Sequence, residues 1–269
     1  MNAGDADGAR ERRWYHTLDL PDRTTTEGWY DTRAAPAEVD WPAALRGGRC
    51  LDVGAFDGFW TLEMERRGAA EVIALDLDDP AALDWFYDDR PRGPELLAEW
   101  GSGRGPGWTE AAELMGSRAE RLVGSVYDLS PERLGQFDVV LCGALLLHLK
   151  EPVAALERMR SVCRGELVLV EHLDPALELV APRVPCARFA ADHDQWWRAN
   201  SLGLRRMTTL AGFEVVSMSH RFLVPFGPGA PRRGWHTTAL HALAARRPAG
   251  QGLLYRSLRA RPRAPRPRR

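Results

Sequence analysis

The stretch that most limits how this chain can fold is Leu51-Asp52-Val53-Gly54-Ala55-Phe56-Asp57-Gly58, followed at once by the helical pattern Phe59–Arg67. An apolar run that empties into a glycine-bearing turn and then a helix reads as the first β-α unit of a parallel sheet. Gly54 and Gly58 let backbone come close to a ligand there. The acid inside the strand narrows the choice of ligand. Asp52 would repel the pyrophosphate that dinucleotide turns hold at a helix N-terminus, but it suits a cationic amino group. Farther on, Asp76 ends the run Val72-Ile73-Ala74-Leu75, at the distance where an acid meets ribose hydroxyls. Together the two acids point to a nucleoside that also carries positive charge.

Seven candidate strands surround that unit: Cys50–Val53, Val72–Asp76, Arg121–Val126, Phe137–Cys142, Glu166–Glu171, Phe213–Ser219 and Thr237–Ala242. They alternate with helical patterns, which is the order of a doubly wound α/β domain. In Pro152–Val162, for example, Val153, Leu156, Met159 and Val162 recur at helical spacing. Asp79 to Ser117 breaks the rhythm with Trp85, Phe86, Trp100 and Trp108 around Gly101, Gly103, Gly105 and Gly107. Short helices and a loop are expected there, either as a wall of the site or as a surface excursion. No internal repeat is visible, and 269 residues suit one domain with additions.

The order Asp52-x-Gly54-x-x-x-Gly58, Asp76, the turn at Ser125, Phe137-Asp138, Leu147-His148-Leu149 and Glu166-Leu-Val-Leu-Val-Glu171 resembles the class I S-adenosylmethionine-dependent methyltransferases over Arg49 to Ala244. Trp14-Tyr15-His16, then Thr26-x-Gly28-Trp29, is similar to the subgroup around the bacterial tRNA wobble-uridine carboxymethyltransferase. The resemblance implies a seven-stranded, doubly wound, Rossmann-like α/β fold, with an N-terminal cap at 1–48, a methyltransferase domain at 49–244 and a helical insertion at 79–117. It implies S-adenosylmethionine as cofactor. The methionine part would meet Asp52, Gly54 and Gly58, the ribose Asp76, and the adenine edge Ser125 with Val126, while Phe56, Asp57, Leu77, Tyr127 and Gly143 would also border the cofactor. Three positions depart from the pattern: Phe56 where a glycine is common, Ser125 where many relatives have Asp, and Leu147 where the wobble-uridine enzyme has tyrosine. The last weighs against a carboxylated cofactor and against a tRNA role.

Acceptor groups should sit beyond the carboxyl ends of the strands. Glu171 is the first candidate base, because a glutamate closing Leu167-Val168-Leu169-Val170 is expected to be desolvated and its pKa raised. His148 is the second, with a packing role as its alternative. Trp14, Tyr15, His16, His172, His193, Trp196 and Trp197 are expected to line the acceptor pocket. The alternative packs Trp196 and Trp197 against the helix that Asn200 would cap. The acids around His193 are assigned no metal.

Charge limits the partners. Seven arginines, Arg256, Arg259, Arg261, Arg263, Arg266, Arg268 and Arg269, fall within the last fourteen residues, and without them a net charge of −1 becomes −8. So acidic a body argues against a broad nucleic-acid face, and 245–269 reads as a basic, disordered tail. The start mixes acids with arginines and lacks the apolar core of a secretory signal, no run reaches the ~18 apolar residues of a membrane span, and Cys50, Cys142, Cys163 and Cys186 form no CxxC pair. A cytoplasmic enzyme with reduced thiols is expected. The expected acceptor is a small molecule of specialised biosynthesis; an RNA-modifying enzyme and a non-catalytic cofactor-binding protein are the alternatives.

Overall fold

The structure, a computed structural model, describes residues 14–93, 95, 103–192, 195–231, 235–246 and 252–264. Two short strands come first, β1 (Trp14–His16) and β2 (Gly28–Tyr30), paired parallel. The central alternation follows: β3 (Arg49–Val53), α1 (Phe59–Arg66), β4 (Glu71–Asp76), α2 (Trp108–Met115), β5 (Glu120–Val123), α3 (Pro131–Leu134), β6 (Phe137–Gly143), α4 (Pro152–Val162) and β7 (Cys163–His172). Then come α5 (Pro175–Val180), the antiparallel hairpin β8 (Ala187–Asp192) and β9 (Gln195–Ala199), and α6 (Ser201–Leu210). The last elements are β10 (Phe213–Met218), β11 (Phe222–Pro225), α7 (Trp235–Ala245) and β12 (Gly252–Pro262).

The main sheet runs β10-β12-β7-β6-β3-β4-β5, with β11 pairing β12. Strands β3 to β7 pair parallel, while β12 is antiparallel to β7, β10 and β11. Both faces of the sheet are covered, which is why its strands are near-continuous apolar runs. One core holds Leu51, Val140, Leu156, Met159 and Leu169; the other holds Cys50, Trp60, Met64, Val139 and Val168. The helix α4 buries Leu156, Met159 and Val162, as the spacing requires. Asn200 caps α6, its Oδ1 accepting the Gly203 N–H at 2.7 Å. The chain leaves β3 for β4 and β5 and returns to β6 on the other flank of β3. That reversal opens a crevice at the carboxyl ends of β3 and β6.

Three expectations need correction. Thr237–Ala242 is not a strand but part of α7, since a short apolar run looks alike in either state. Nor are residues 252–262 a disordered tail, for they form the strand between β7 and β10. Leu258 and Ala260 are buried there, alternating with arginines that find partners. Arg259 pairs with Asp40 and Glu166, Arg261 with Glu214, and Arg256 donates to the Ser219 carbonyl. The third strand also stops early, at Val123, because Ser125 caps a 3₁₀ turn over Val126–Asp128. Between β4 and β5 lie 3₁₀ turns at Pro80–Ala82 and Arg90–Arg92, a π turn at Gly103–Gly107, and α2.

Candidate functional site

The crevice is an open cavity of ≈ 750 Å³, lined from the ends of β3, β4, β6 and β7 and closed by the cap, the insertion and the β9 hairpin strand. That volume is of the size that takes small organic ligands. On its floor the turn after β3 passes through left-handed conformations at Gly54 (φ 80°) and Phe56 (φ 51°). Such a φ explains why glycine is common at the Phe56 position. The strain is held by a network: Asp76 Oδ2 accepts the Phe56 N–H at 2.7 Å, while Asp76 Oδ1 accepts the Leu77 N–H at 2.7 Å. Asp76 stands on the cavity wall, where a carboxylate suits the hydroxyls of a diol.

Beneath the wall lies Asp52. It is fully buried; Thr61 Oγ1 donates to its Oδ2 at 2.7 Å, and its Oδ1 has no partner. Burial, with a smaller contribution from Asp76, pushes its pKa up to about 7. An orphaned carboxylate oxygen of that kind fits a cationic ligand group better than an uncharged one. Gly143 belongs to the same floor, where any side chain would collide with the indole of Trp60, only 2.4 Å from an ideal Cβ.

Asp57 and Gly58 do not line the cavity. Asp57 grips the cap instead: it accepts the His16 N–H at 2.8 Å and pairs with His16 Nδ1, while Gly58 starts α1. The cap then lays Tyr15 against Phe56, ring centroids 4.6 Å apart, and against Tyr30, 5.0 Å apart. Tyr15 and His16 line the cavity, but Trp14, 1 % exposed, belongs to the core and not to the site. Tyr15, next to it in the strand, points the other way, as alternation demands.

Leu77, Ser125, Val126 and Tyr127 line the cavity together. Ser125 Oγ is committed to the Tyr127 N–H, and Asp128 stays outside the cavity wall. An acid that the motifs did not single out stands there. Asp84, from the insertion, accepts the Tyr127 hydroxyl and the Lys150 N–H, each at 2.8 Å.

Glu171 requires a correction. Its neighbours Val170 and His172 line the cavity, but Glu171 does not. Its Oε1 accepts the N–H groups of Leu145 and Leu146 at 3.2 and 3.1 Å, beneath the turn that follows β6. Burial does raise its pKa to about 7, so the desolvation argument held while the direction of the side chain did not. His148 and His172 are on the cavity wall. Trp196 and Trp197 are not: their indole N–H groups donate to the carbonyls of Asp84 and Lys150, which ties the hairpin to its neighbours. From the same strand Gln195 and Arg198 reach the cavity, and His193 lies outside the described residues. Trp29, which the Thr26-x-Gly28-Trp29 motif contains, lines the cavity with Tyr30, His241 and Tyr255, which no motif singled out. Among the described residues no cluster of three metal-binding side chains occurs.

A parallel sheet with one inserted antiparallel strand and a glycine turn after its first central strand define a class I S-adenosylmethionine-dependent methyltransferase. The comparisons place the chain more closely. The family model described as a methyltransferase domain matches residues 31–218, more than half of the sequence, and the chain belongs to that family. It is 30% identical over 201 residues to the tRNA U34 carboxymethyltransferase of Azotobacter vinelandii, an alignment covering 73% of this chain and 53% of that protein. It is also 32% identical over 126 residues to the ubiquinone biosynthesis O-methyltransferase of Xanthomonas oryzae pv. oryzae, covering 44% and 41%. The chain thus spans about half the length of these relatives. Among solved structures, the fold is shared with 1,6-didemethyltoxoflavin-N1-methyltransferase of Burkholderia thailandensis, at TM-score 0.50 and 19% identity over 81% of this chain and 72% of that one. A putative S-adenosylmethionine-dependent methyltransferase of Listeria monocytogenes gives TM-score 0.51 at 12% identity, over 87% and 98%.

Proposed function

We propose that this methyltransferase acts on a small-molecule acceptor in a biosynthetic pathway of the cytoplasm. The observation that carries this reading is the cavity: its acceptor end is lined by Trp29, Tyr30, His172, His241 and Tyr255 and capped by Tyr15, a shape for a compact ring compound. Bound there, S-adenosylmethionine supplies an electrophilic methyl on a sulfonium. The protein's own part is placement: Asp76 holds the ribose side from the cavity wall, Asp52 sets an unpartnered carboxylate oxygen beneath the turn for the cationic end, and the cap excludes water above the turn. The arginines 256, 259 and 261, which a basic anchor for RNA would need, are spent on the sheet and its acids.

The test is a mass-spectrometric search for methylated products. The purified chain with S-adenosylmethionine is incubated with a cell extract freed of macromolecules and, separately, with bulk tRNA. A mass gain of one methyl group on a small compound is expected. Methylation of tRNA alone would overturn the reading.

A further inference from the structure

Three rings form a stack along the acceptor wall: His241 from α7, His172 from β7 and Tyr255 from β12. The centroids of His172 lie 5.6 Å from His241 and 5.5 Å from Tyr255, with planes 23° apart in both pairs. Phe222 continues the series, 6.2 Å from Tyr255. All three leading rings line the cavity.

His241 is fixed in one tautomer by the fold. The Leu254 N–H, in β12, donates to its Nδ1 at 2.9 Å. A ring nitrogen that accepts a hydrogen bond carries no proton, so the neutral imidazole is protonated on Nε2. Charging the ring would add a proton at Nδ1, directly against that N–H. Burial opposes the charge as well; Arg198 from β9 opposes it further, Asp174 before α5 favours it, and the balance brings the pKa down to about 4. His172 is driven the same way, by burial first and then by His241, Arg198 and His148. Its Nε2 is buried without a partner. The wall therefore presents neutral imidazoles, one of them with its N–H at a fixed nitrogen.

We propose that His241 is a specificity-determining residue of the acceptor site, its Nε2–H donating to an oxygen of a planar, hydroxyl-bearing aromatic acceptor that lies against the His241–His172–Tyr255 stack. This rests on the small-molecule reading above and adds the chemical class of the acceptor. A neutral N–H donor rewards an oxygen lone pair and gives nothing to an ammonium group. Flat aromatic walls at Trp29, Tyr30 and Tyr255 select for a ring rather than a chain. His241 then orients the acceptor; it removes no proton.

The experiment uses the full chain, labelled with ¹⁵N-histidine and saturated with S-adenosylhomocysteine, and two probes, catechol and the oxygen-free ring toluene. Ring-nitrogen NMR should show His241 as the Nε2–H tautomer throughout pH 5.5–8, with its Nε2–H resonance displaced by catechol and not by toluene. His241→Asn retains an oxygen for the Leu254 N–H, while its shorter amide places no N–H at the position of Nε2. It should bind S-adenosylhomocysteine within about twofold of wild type and catechol about tenfold or more weakly. An Nδ1–H tautomer, a His241 that titrates near pH 6.5, or equal catechol binding by His241→Asn overturns the proposal. Retention of tRNA in a filter assay on the same sample, with catechol unbound, would bring down the small-molecule reading itself and the proposal with it.

Discussion

Asp52 is wholly buried, accepts one hydrogen bond from Thr61 and leaves Oδ1 without a partner, so burial holds its pKa at about 7 against 3.8 in the open chain. The folded state thus binds this proton more tightly than the unfolded state. Its contribution is favourable at low pH, is lost as pH rises from about 4 to about 7, and stays lost above. Three pKa units correspond to ~4 kcal/mol, and relaxation around the ionised group reduces what is measured to ~2–4 kcal/mol. Asp52→Asn keeps the shape and lets an amide oxygen accept the Thr61 hydroxyl, while removing the charge. In the absence of cofactor it should therefore be more stable than wild type at pH 8, by ~2 kcal/mol or somewhat more after the desolvation of its NH₂ group, and close to wild type at pH 4.5. Urea unfolding at the two pH values measures this. The same variant should bind S-adenosylhomocysteine more weakly by ~1.5–3 kcal/mol at pH 8, the scale of a lost charge-assisted contact, read by calorimetry. An asparagine variant no more stable than wild type at pH 8, or one with undiminished affinity, would refute the link between the orphaned oxygen and a cationic ligand group.

Asp76→Ala removes the acceptor of both the Phe56 and Leu77 N–H groups and should weaken S-adenosylhomocysteine binding by ~1.5–3 kcal/mol; a calorimetric change below tenfold would count against the ribose assignment. Deleting residues 251–269 should leave a chain that does not fold cooperatively, since β12 bridges β7 and β10; a sharp thermal transition in circular dichroism would contradict this. Glu171→Gln keeps an oxygen for Leu145 and Leu146 and should methylate within a few-fold of wild type, whereas a loss of about 10²–10⁴ in turnover would restore Glu171 as a base.

How much of this could be read from the chain varies with the kind of signal. The turn after β3 and the acids Asp52 and Asp76 are local: a strand, a tight turn and a strand end carry their chemistry in consecutive residues. Gly54, Phe56 and Asp76, which line the cavity, were therefore legible as its floor, with Asp52 beneath it. Asp57 was not, because its partner His16 comes from a cap forty-one residues earlier, and sequence distance hides such contacts. Glu171 failed for a simpler reason. Strand alternation makes neighbours face opposite ways, and nothing in Val170-Glu171-His172 says which parity meets the cavity. His241 and Tyr255 were hidden by a misread helix and by arginines. In β12 the period of two is present, Leu258 and Ala260 against Arg259 and Arg261, but composition spoke louder than pattern.

The position of β12 also bears on the order in which this sheet can be assembled. Among the described residues, β10 and β11 join the sheet through β12, which the ribosome makes after both. Until it arrives, β7 presents the open edge of an otherwise completed parallel half, and β10 has nothing to join. Such an edge invites strands from other chains. A nascent chain halted before Gly252 would thus be an aggregation hazard and a natural client for a chaperone, and refolding in vitro should be slowest at the step that threads this strand between two neighbours already in place.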